Sequence, residues 1–445
     1  MKPYPDYKNS DVELIGEIPQ HWNTAKLKYL TKKVGSGVTP TGGSAVYIND
    51  GVALIRSQNV HFDGLRLDDV AYISEEIHDE MKASRVYPGD VLLNITGASI
   101  GRCCVVPKNL VEANVNQHVC VVRPNTQIKA EFLNAFLSSD KGQQQISLGE
   151  RGISRQGLNF EQLNSFDVIV PPLNEQQIIV DYLDHKTAVL DTLIAQKQHL
   201  IELLQEERTA VIGTAVTQGL DSHALRKSSG IPWLGDIPTH WEVGKFKHAI
   251  DFQEGPGILA KDFREDGIPL LRIGNVQEEK VDLDGCNYLD EEQVAKQWNH
   301  FRLKERDLLI SCSATTGIVS EIGENAVGAI PYTGLIRLRP AIENIDRYFI
   351  KWLVSANIFF VQIDLFKTGS TIQHFGPTHL NQMIITLPPL EEQVAIVEYI
   401  QQKTSQINHT IAQTEKQIAL LKEYRSTLIS RVVTGKIDVR QEVIP

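Results

Sequence analysis

A chain of 445 residues is too long for one core and divides into several domains. Hydrophobic residues at 42% and charged residues at 22% are the proportions of a globular protein, and no apolar run approaches the roughly 18 residues that a membrane crossing needs. A net charge of −11 works against nonspecific coating of DNA by this chain alone, although net charge does not fix local potential.

Residues 1–22 read as a lead-in. No apolar stretch follows Met1, so no secretory signal is expected. Five cysteines without a C-x-x-C spacing point to reduced thiols and a cytoplasmic location. Ile18-Pro19-Gln20-His21-Trp22 reads as a turn with an anchoring tryptophan. His21 has no second ligand at metal spacing and is expected as a buried turn residue. Segment 23–172 alternates short apolar runs with Gly- and Asn-rich loops, which predicts strands at 53–56, 90–95, 103–106, 118–123 and 166–170 and a helix near 129–137. Cys103 and Cys104 fall in one of these strands and are expected to be buried. The segment reads as an α+β domain with a curved, mixed sheet.

Pro171-Pro172-Leu173-Asn174-Glu175-Gln176-Gln177 ends the last strand, because proline offers no N–H to a ladder, and opens a long helix over 173–216. Asn174 is placed to cap it, with Gln177 closing a capping box and Leu173 stapling onto Ile178. The helix keeps a heptad register. Val180, Thr187, Ile194, Ile201 and Arg208 fall at position a, and Leu183, Leu190, Lys197, Leu204 and Val211 at position d.

After a linker at 217–241 the chain repeats itself. Gly16 to Trp22 returns as Gly235 to Trp241, with His240 read like His21. Leu54-Ile55-Arg56-Ser57-Gln58-Asn59-Val60 returns as Leu270-Leu271-Arg272-Ile273-Gly274-Asn275-Val276. Gly89-Asp90-Val91-Leu92-Leu93 returns as Arg306-Asp307-Leu308-Leu309-Ile310, and Val122-Arg123-Pro124 as Leu338-Arg339-Pro340. A steady offset of about 217 residues is a tandem duplication of whole domains, too long for a solenoid. The second domain, 242–389, has predicted strands near 269–273, 307–311, 317–322 and 334–339 and a helix near 347–363. Its own long helix, 390–433, follows Pro388-Pro389-Leu390-Glu391-Glu392-Gln393, and a tail occupies 434–445. Position a is then Val397, Thr404, Ile411, Ile418 and Arg425, and position d is Ile400, Ile407, Thr414, Leu421 and Leu428. Every a position carries the same residue in both copies. The two helices are each other's simplest partner, and at 1.5 Å per residue each makes a rod of roughly 60 Å.

Catalytic signatures are missing. Gly35-Ser36-Gly37-Val38-Thr39-Pro40 lacks the Gly-Lys-Ser/Thr ending of a phosphate loop. There is no Walker A, H-E-x-x-H or G-x-S-x-G motif and no Asn-Pro-Pro-aromatic tetrapeptide, and no nuclease-like set of carboxylates and lysine assembles at short spacing. The chain reads as non-catalytic, with no metal and no cofactor of its own. What recurs is polar loop residues. In the first copy these are Arg56, Gln58, Asn59, Thr96, Ser99, Asn114, Asn116, Gln117, His118, Arg151, Ser154, Arg155 and Gln156. In the second they are Arg272, Asn275, Ser313, Thr315, Thr316, Tyr332, Thr333, Lys367, Ser370, Thr371, Gln373 and His374. Arg, Asn and Gln make the paired contacts that distinguish guanine and adenine. The same residues also cap turns.

Ile-Pro-x-His-Trp, Gly-Asp-Val-Leu-Leu-Asn, Asn116-Gln117-His118-Val119 with Arg123-Pro124, and Pro-Pro-Leu-x-Glu-Gln before a long helix, in a chain of two tandem units, resemble the DNA-specificity subunit of type I restriction–modification systems. In the second copy Tyr332-Thr333-Gly334-Leu335 departs from the Asn-Gln-His-Val pattern. The resemblance covers nearly the whole chain. It implies two target-recognition domains that each read half of a bipartite double-stranded DNA sequence, held apart by two antiparallel helices. It also implies two methyltransferase subunits, which use S-adenosylmethionine, and restriction subunits, which hydrolyse ATP, as partners. The rival reading is a duplicated coiled-coil protein–protein scaffold without DNA contact, which the acidic balance favours.

Overall fold

The structure is a computed structural model and describes residues 2–110, 112–150, 157–277, 279–312, 318–366 and 375–442. It separates into two units, Met1–Gln198 with Glu415–Pro445, and His199–Thr414.

The apolar runs of the first unit pair into two four-stranded sheets rather than one curved sheet. In the first, Val91–Asn94 lies between Cys103–Val105 and Val119–Pro124, all antiparallel, with Thr31–Ser36 on the outer side of Val119–Pro124. In the second, Val52–Ile55 pairs parallel with Ala113–Val115, and Ala71–Ile73 and Arg85–Val86 close its edges. Every residue of Val91–Asn94 is buried, as expected of a central strand with both faces covered. Its alternate side chains serve two cores. Val91 and Leu93 join the cluster beneath the helix Ala130–Ser138, and Leu92 joins the cluster shared with the second sheet. Cys103 and Cys104 are likewise buried, one in each cluster.

The second unit repeats this plan. Leu335–Pro340 lies between Ile250–Glu254 and Leu308–Ser311, with Val319–Glu321 beyond, and Ile268–Leu271 pairs parallel with Ile330–Pro331. Each unit also carries a hairpin holding its Ile-Pro-x-His-Trp turn. Tyr7–Asn9 pairs with Glu17–Pro19 in the first, and Arg226–Ser228 with Asp236–Pro238 in the second.

Two expectations change at the helices. The helix near 347–363 is two helices, Arg347–Ser355 and Asn357–Phe366, because Ala356 is extended and turns the chain by 60°. The first unit has the same break at Ser139, between Ala130–Ser138 and Asp140–Glu150. Among the described residues no single helix is long and apolar enough to cross a membrane.

The long helices are α1, Leu173–Gln218, and α2, Leu390–Val433. Asn174 does not cap α1. The helix begins at Leu173, and the Pro172 carbonyl accepts the N–H groups of Glu175 and Gln176. Gln177 bonds Asp181 instead of closing a box, and Leu173 is exposed.

Between Ala188 and Ala210 the residues of α1 that are not exposed are Leu190, Ile194, Lys197, Ile201, Leu204 and Arg208. Between Gln401 and Tyr424 of α2 they are Thr404, Ile407, Ile411, Thr414, Ile418 and Leu421. Each set consists of a and d positions alone, so burial follows the heptad seam. Val180 and Leu183 of α1, and Val397 and Ile400 of α2, are buried in the cores of their units. The hydroxyls of Thr187, Thr404 and Thr414 donate to carbonyls one turn back, which satisfies them inside the seam. In the first unit, Asp191 of α1 binds Arg425 of α2 at 2.9 and 3.2 Å, and Lys197 binds Gln417 at 2.6 Å. In the second, Ile212 and Val216 of α1 share a core with Ile396 and Ile400 of α2. Numbers rise on one helix as they fall on the other, so the coil is antiparallel.

Candidate nucleic-acid interface

Backbone bonds at the strand ends tie together loops that lie far apart in sequence. In the first unit Asn116 N–H donates to the Ile55 carbonyl, Ile95 N–H to His118, Gly37 N–H to Asn116, and Leu158 N–H to Ile95. Loops around 37–39, 56–59, 94–99, 116–118 and 157–158 therefore form one cluster at one edge of the two sheets. In the second unit Tyr332 N–H donates to Leu271, Thr333 N–H to Pro256, Cys312 N–H to Gly334 and Phe375 N–H to Cys312. The equivalent loops meet in the equivalent place. Close approach explains the glycine there. A Cβ on Gly37 would collide with the Val115 carbonyl oxygen, and one on Gly255 with that of Pro331.

The duplication sorts the polar residues. Asn59 and Asn275 are buried, and each Oδ1 accepts the backbone N–H of the arginine three residues earlier, at 2.9 and 2.8 Å. Asn59 also donates to Arg66 and Asp69, and Asn275 to Asp284. They hold their turns in both units. Asn114 is fully buried among His78, Ser84 and Met81. Asn94, fully buried as well, donates to Ser57 and to Ser99 Oγ, which commits Ser99 to the loop.

Two further pairs escape sequence reasoning, although their motifs are visible there. Asp90 takes both an Nε–H and an Nη2–H of Arg123, at 2.7 and 2.9 Å, and caps Tyr87 N–H. Asp307 takes Arg339 at 2.5 Å twice and caps Lys304 N–H. Both carboxylates are buried, and both arginines are held above their ordinary pKa chiefly by these bonds.

Exposed or half-exposed candidates differ between units. Gln117 is exposed. Its Oε1 accepts from Thr39, its amide donates to His118 Nε2 at 3.0 Å, and His118 Nδ1 meets Thr96 Oγ1 at 2.6 Å. Asn116 Oδ1 fixes the His118 N–H. Thr39 reaches this chain of bonds from the glycine segment Gly35–Pro40, where composition alone points to no base contact. Gln58 bonds Asp69, and Arg56 donates to the Asp69 carbonyl at 3.0 Å. In the second unit Arg272 is exposed beside Phe263 and Tyr332, and Thr333 and Gly334 N–H both face Glu254. Arg151, Ser154, Arg155, Gln156, Ser313, Thr315, Thr316, Lys367, Ser370, Thr371, Gln373 and His374 lie outside the described residues.

His21 and His240 are not buried. They are 42% and 49% exposed and bind Glu175 at 2.8 Å and Glu392 at 2.6 Å, the glutamates of the two Pro-Pro-Leu-x-Glu-Gln segments. The neighbouring Gln176 and Gln393 are fully buried. Each accepts one backbone N–H and donates to two carbonyls, in matching places.

A model of the type I restriction modification DNA specificity domain matches residues 42–203 and 238–419, well over half the chain. The EcoKI specificity subunit of Escherichia coli K12 is 22% identical over 446 residues, covering 96% of this chain and 91% of that one. A chain from a solved type I R-M system superposes with a TM-score of 0.72 at 17% identity, over 94% of this chain and 99% of that one. The HsdS subunit of Thermoanaerobacter tengcongensis does so with a TM-score of 0.54 at 16% identity, over 94% of this chain and 98% of that one.

Proposed function

The chain belongs to the type I restriction–modification DNA specificity family, and from that membership we propose that it reads a bipartite double-stranded DNA target. In this reading segments 23–172 and 242–389 are the recognition domains, each serving one half-site, and helices 173–216 and 390–433 set the gap between half-sites. The observation that carries the reading is the pair of loop clusters. Their buried frames share Asn59 with Asn275 and Asp90–Arg123 with Asp307–Arg339, while the outward side chain of one equivalent loop differs, Gln117 in the first unit and Thr333 in the second. Two similar frames with different contacts suit two half-sites of different sequence.

The chain is a non-catalytic subunit of a DNA adenine methyltransferase and endonuclease complex in the cytoplasm, with two methyltransferase subunits and restriction subunits as partners. Within the first unit, Val189 and Leu193 of α1 and Leu420 and Tyr424 of α2 are exposed at heptad positions c and g, outside the a and d seam. An apolar strip of this kind on a coil suits the docking of partner helices.

The test is methylome sequencing of cells in which segment 23–170 is exchanged for that of a relative, with the partners present. One half-site should change, while the other half-site and the gap stay. If no exchange alters the modified sequence, the chain is a scaffold. Methyl transfer by the isolated chain would also overturn the assignment.

A further inference from the structure

Arg56 and Arg272 occupy the same place in the two units. Each follows the strand that pairs in parallel, and each offers its N–H to the asparagine of the next turn. The backbone of both is therefore fixed, and only the surroundings of the two guanidinium groups differ. The Arg56 guanidinium stands 5.9 Å from one ring, Tyr47, donates to the Asp69 carbonyl at 3.0 Å, and is about a quarter exposed, with 26% of its side chain open. Arg272 stands 5.9 and 5.7 Å from the centroids of Phe263 and Tyr332, two rings inclined at 77° to each other. Tyr332 is held there by its N–H bond to Leu271, and Phe263 by pairing with Leu289. Arg272 also donates one Nη1–H to Asn287 Oδ1, at 3.3 Å.

Two aromatic faces and one amide orient the Arg272 fork while leaving it at the surface of the loop cluster. A guanidinium ordered in this way loses less freedom when it docks, and its geometry matches the O6 and N7 acceptors of guanine. We propose that Arg272 reads one guanine in the major groove of the half-site served by the second domain. The proposal rests on the DNA-reading assignment and names the base and the residue for that domain.

The experiment is methylome sequencing with Arg272→Ala and Arg272→Gln in the full complex, paired with binding of the purified complex to target and variant duplexes over a range of salt. Arg272 is exposed, its side-chain bond to Asn287 lies at the surface, and its backbone N–H survives both substitutions, so both variants should fold. Arg272→Ala should cut the preference for G at one position of one half-site by about ten- to a hundredfold, leaving all other positions intact. Arg272→Gln should move the preference at that position towards A, the base whose N6 and N7 suit an amide. A uniform loss of affinity for every sequence with a shallower salt dependence marks a phosphate contact and overturns the proposal. So does a wild-type half-site for this domain without a specified G·C pair. If domain exchange also leaves the modified sequence unchanged, the DNA assignment itself has failed rather than this residue's role.

Discussion

Glu175 and Glu392 stand at the same place in the two units and keep different company. Glu392 accepts from His240 and from the indole N–H of Trp241, at 2.9 Å, and its side chain is 41% exposed. Glu175 is buried. It accepts from His21 and from the Tyr4 hydroxyl at 2.6 Å, and Arg440 lies 3.8 Å away. Trp22, fully buried, has no partner for its indole nitrogen among the described residues. The difference comes from what surrounds each glutamate. In the second unit a single continuous segment, 217–241, packs there. In the first, residues 2–22 and 434–442 share the place, with Tyr7 donating to the Gly435 carbonyl and Lys436 to that of Glu17. The hydroxyl and guanidinium that crowd Glu175 leave the indole out. A repeated motif therefore keeps its position through shape and burial, while its hydrogen bonds are redrawn by whatever chain covers it.

Breaking the coil should have the largest effect. Midway between the links Asp191–Arg425 and Lys197–Gln417, Ile194 lies across from Leu421. Ile194→Asp with Leu421→Asp should cost roughly 5 kcal/mol in denaturant unfolding, from lost apolar burial and unpaired carboxylates. The two substitutions should couple in a double-mutant cycle. The sequence-equivalent pair, Ile194→Asp with Ile411→Asp, should be additive, because those residues occupy different layers. Coupling in the second pair and none in the first would contradict the antiparallel register.

A smaller loss should follow Asp90→Ala or Asp307→Ala. Each strands an arginine and a capped N–H, for about 3 kcal/mol. The cost stays below that of a wholly buried pair because Arg123 and Arg339 keep 27% and 23% of their side chains exposed. The two losses should be alike within about 1 kcal/mol, since the frames match. A wide gap in unfolding midpoints would show that the frames are not equivalent.

The smallest and sharpest comparison is Trp241→Phe against Trp22→Phe. Both remove the same volume from fully buried sites, but only Trp241 loses a hydrogen bond to a carboxylate. Trp241→Phe should be the costlier by about 1–2 kcal/mol in unfolding free energy. Equal costs would deny the Trp241–Glu392 bond any net role.

Patterns local in sequence were legible. The heptad seam, the strand before Pro171-Pro172 and the two tandem copies follow from periodicity and repetition. Partnerships across long separations were not. The sequence displays Asp90 and Arg123 as separate repeated motifs, and only the antiparallel pairing of Val91–Asn94 with Val119–Pro124 brings them together. The parallel pair Val52–Ile55 and Ala113–Val115 is nonlocal in the same way. The helix Asp140–Glu150 was missed because its glutamines obscure an apolar face, and Gln145 turns out to bond the backbone of Asp167 through both ends of its amide. Asn59 and Asn275 show the limit of composition in loops. Their residue type suits base reading and turn holding equally, and the structure occupies them with turns.

The unequal division of the chain has a consequence for its synthesis. The second unit is one uninterrupted stretch, whereas the first needs Val180 and Leu183 to meet Leu428 and Val432, and Lys2 to bridge Asp438. On a ribosome working from the first residue onward, the unit begun first cannot be closed until residues near 440 have emerged, by which point all of the second is available to fold. The early half of α1 must wait meanwhile with its apolar seam uncovered, for the time it takes to add more than two hundred residues, roughly ten to forty seconds at bacterial or slower elongation rates. That interval is when this protein is most open to chaperones and to mispairing with a second nascent copy.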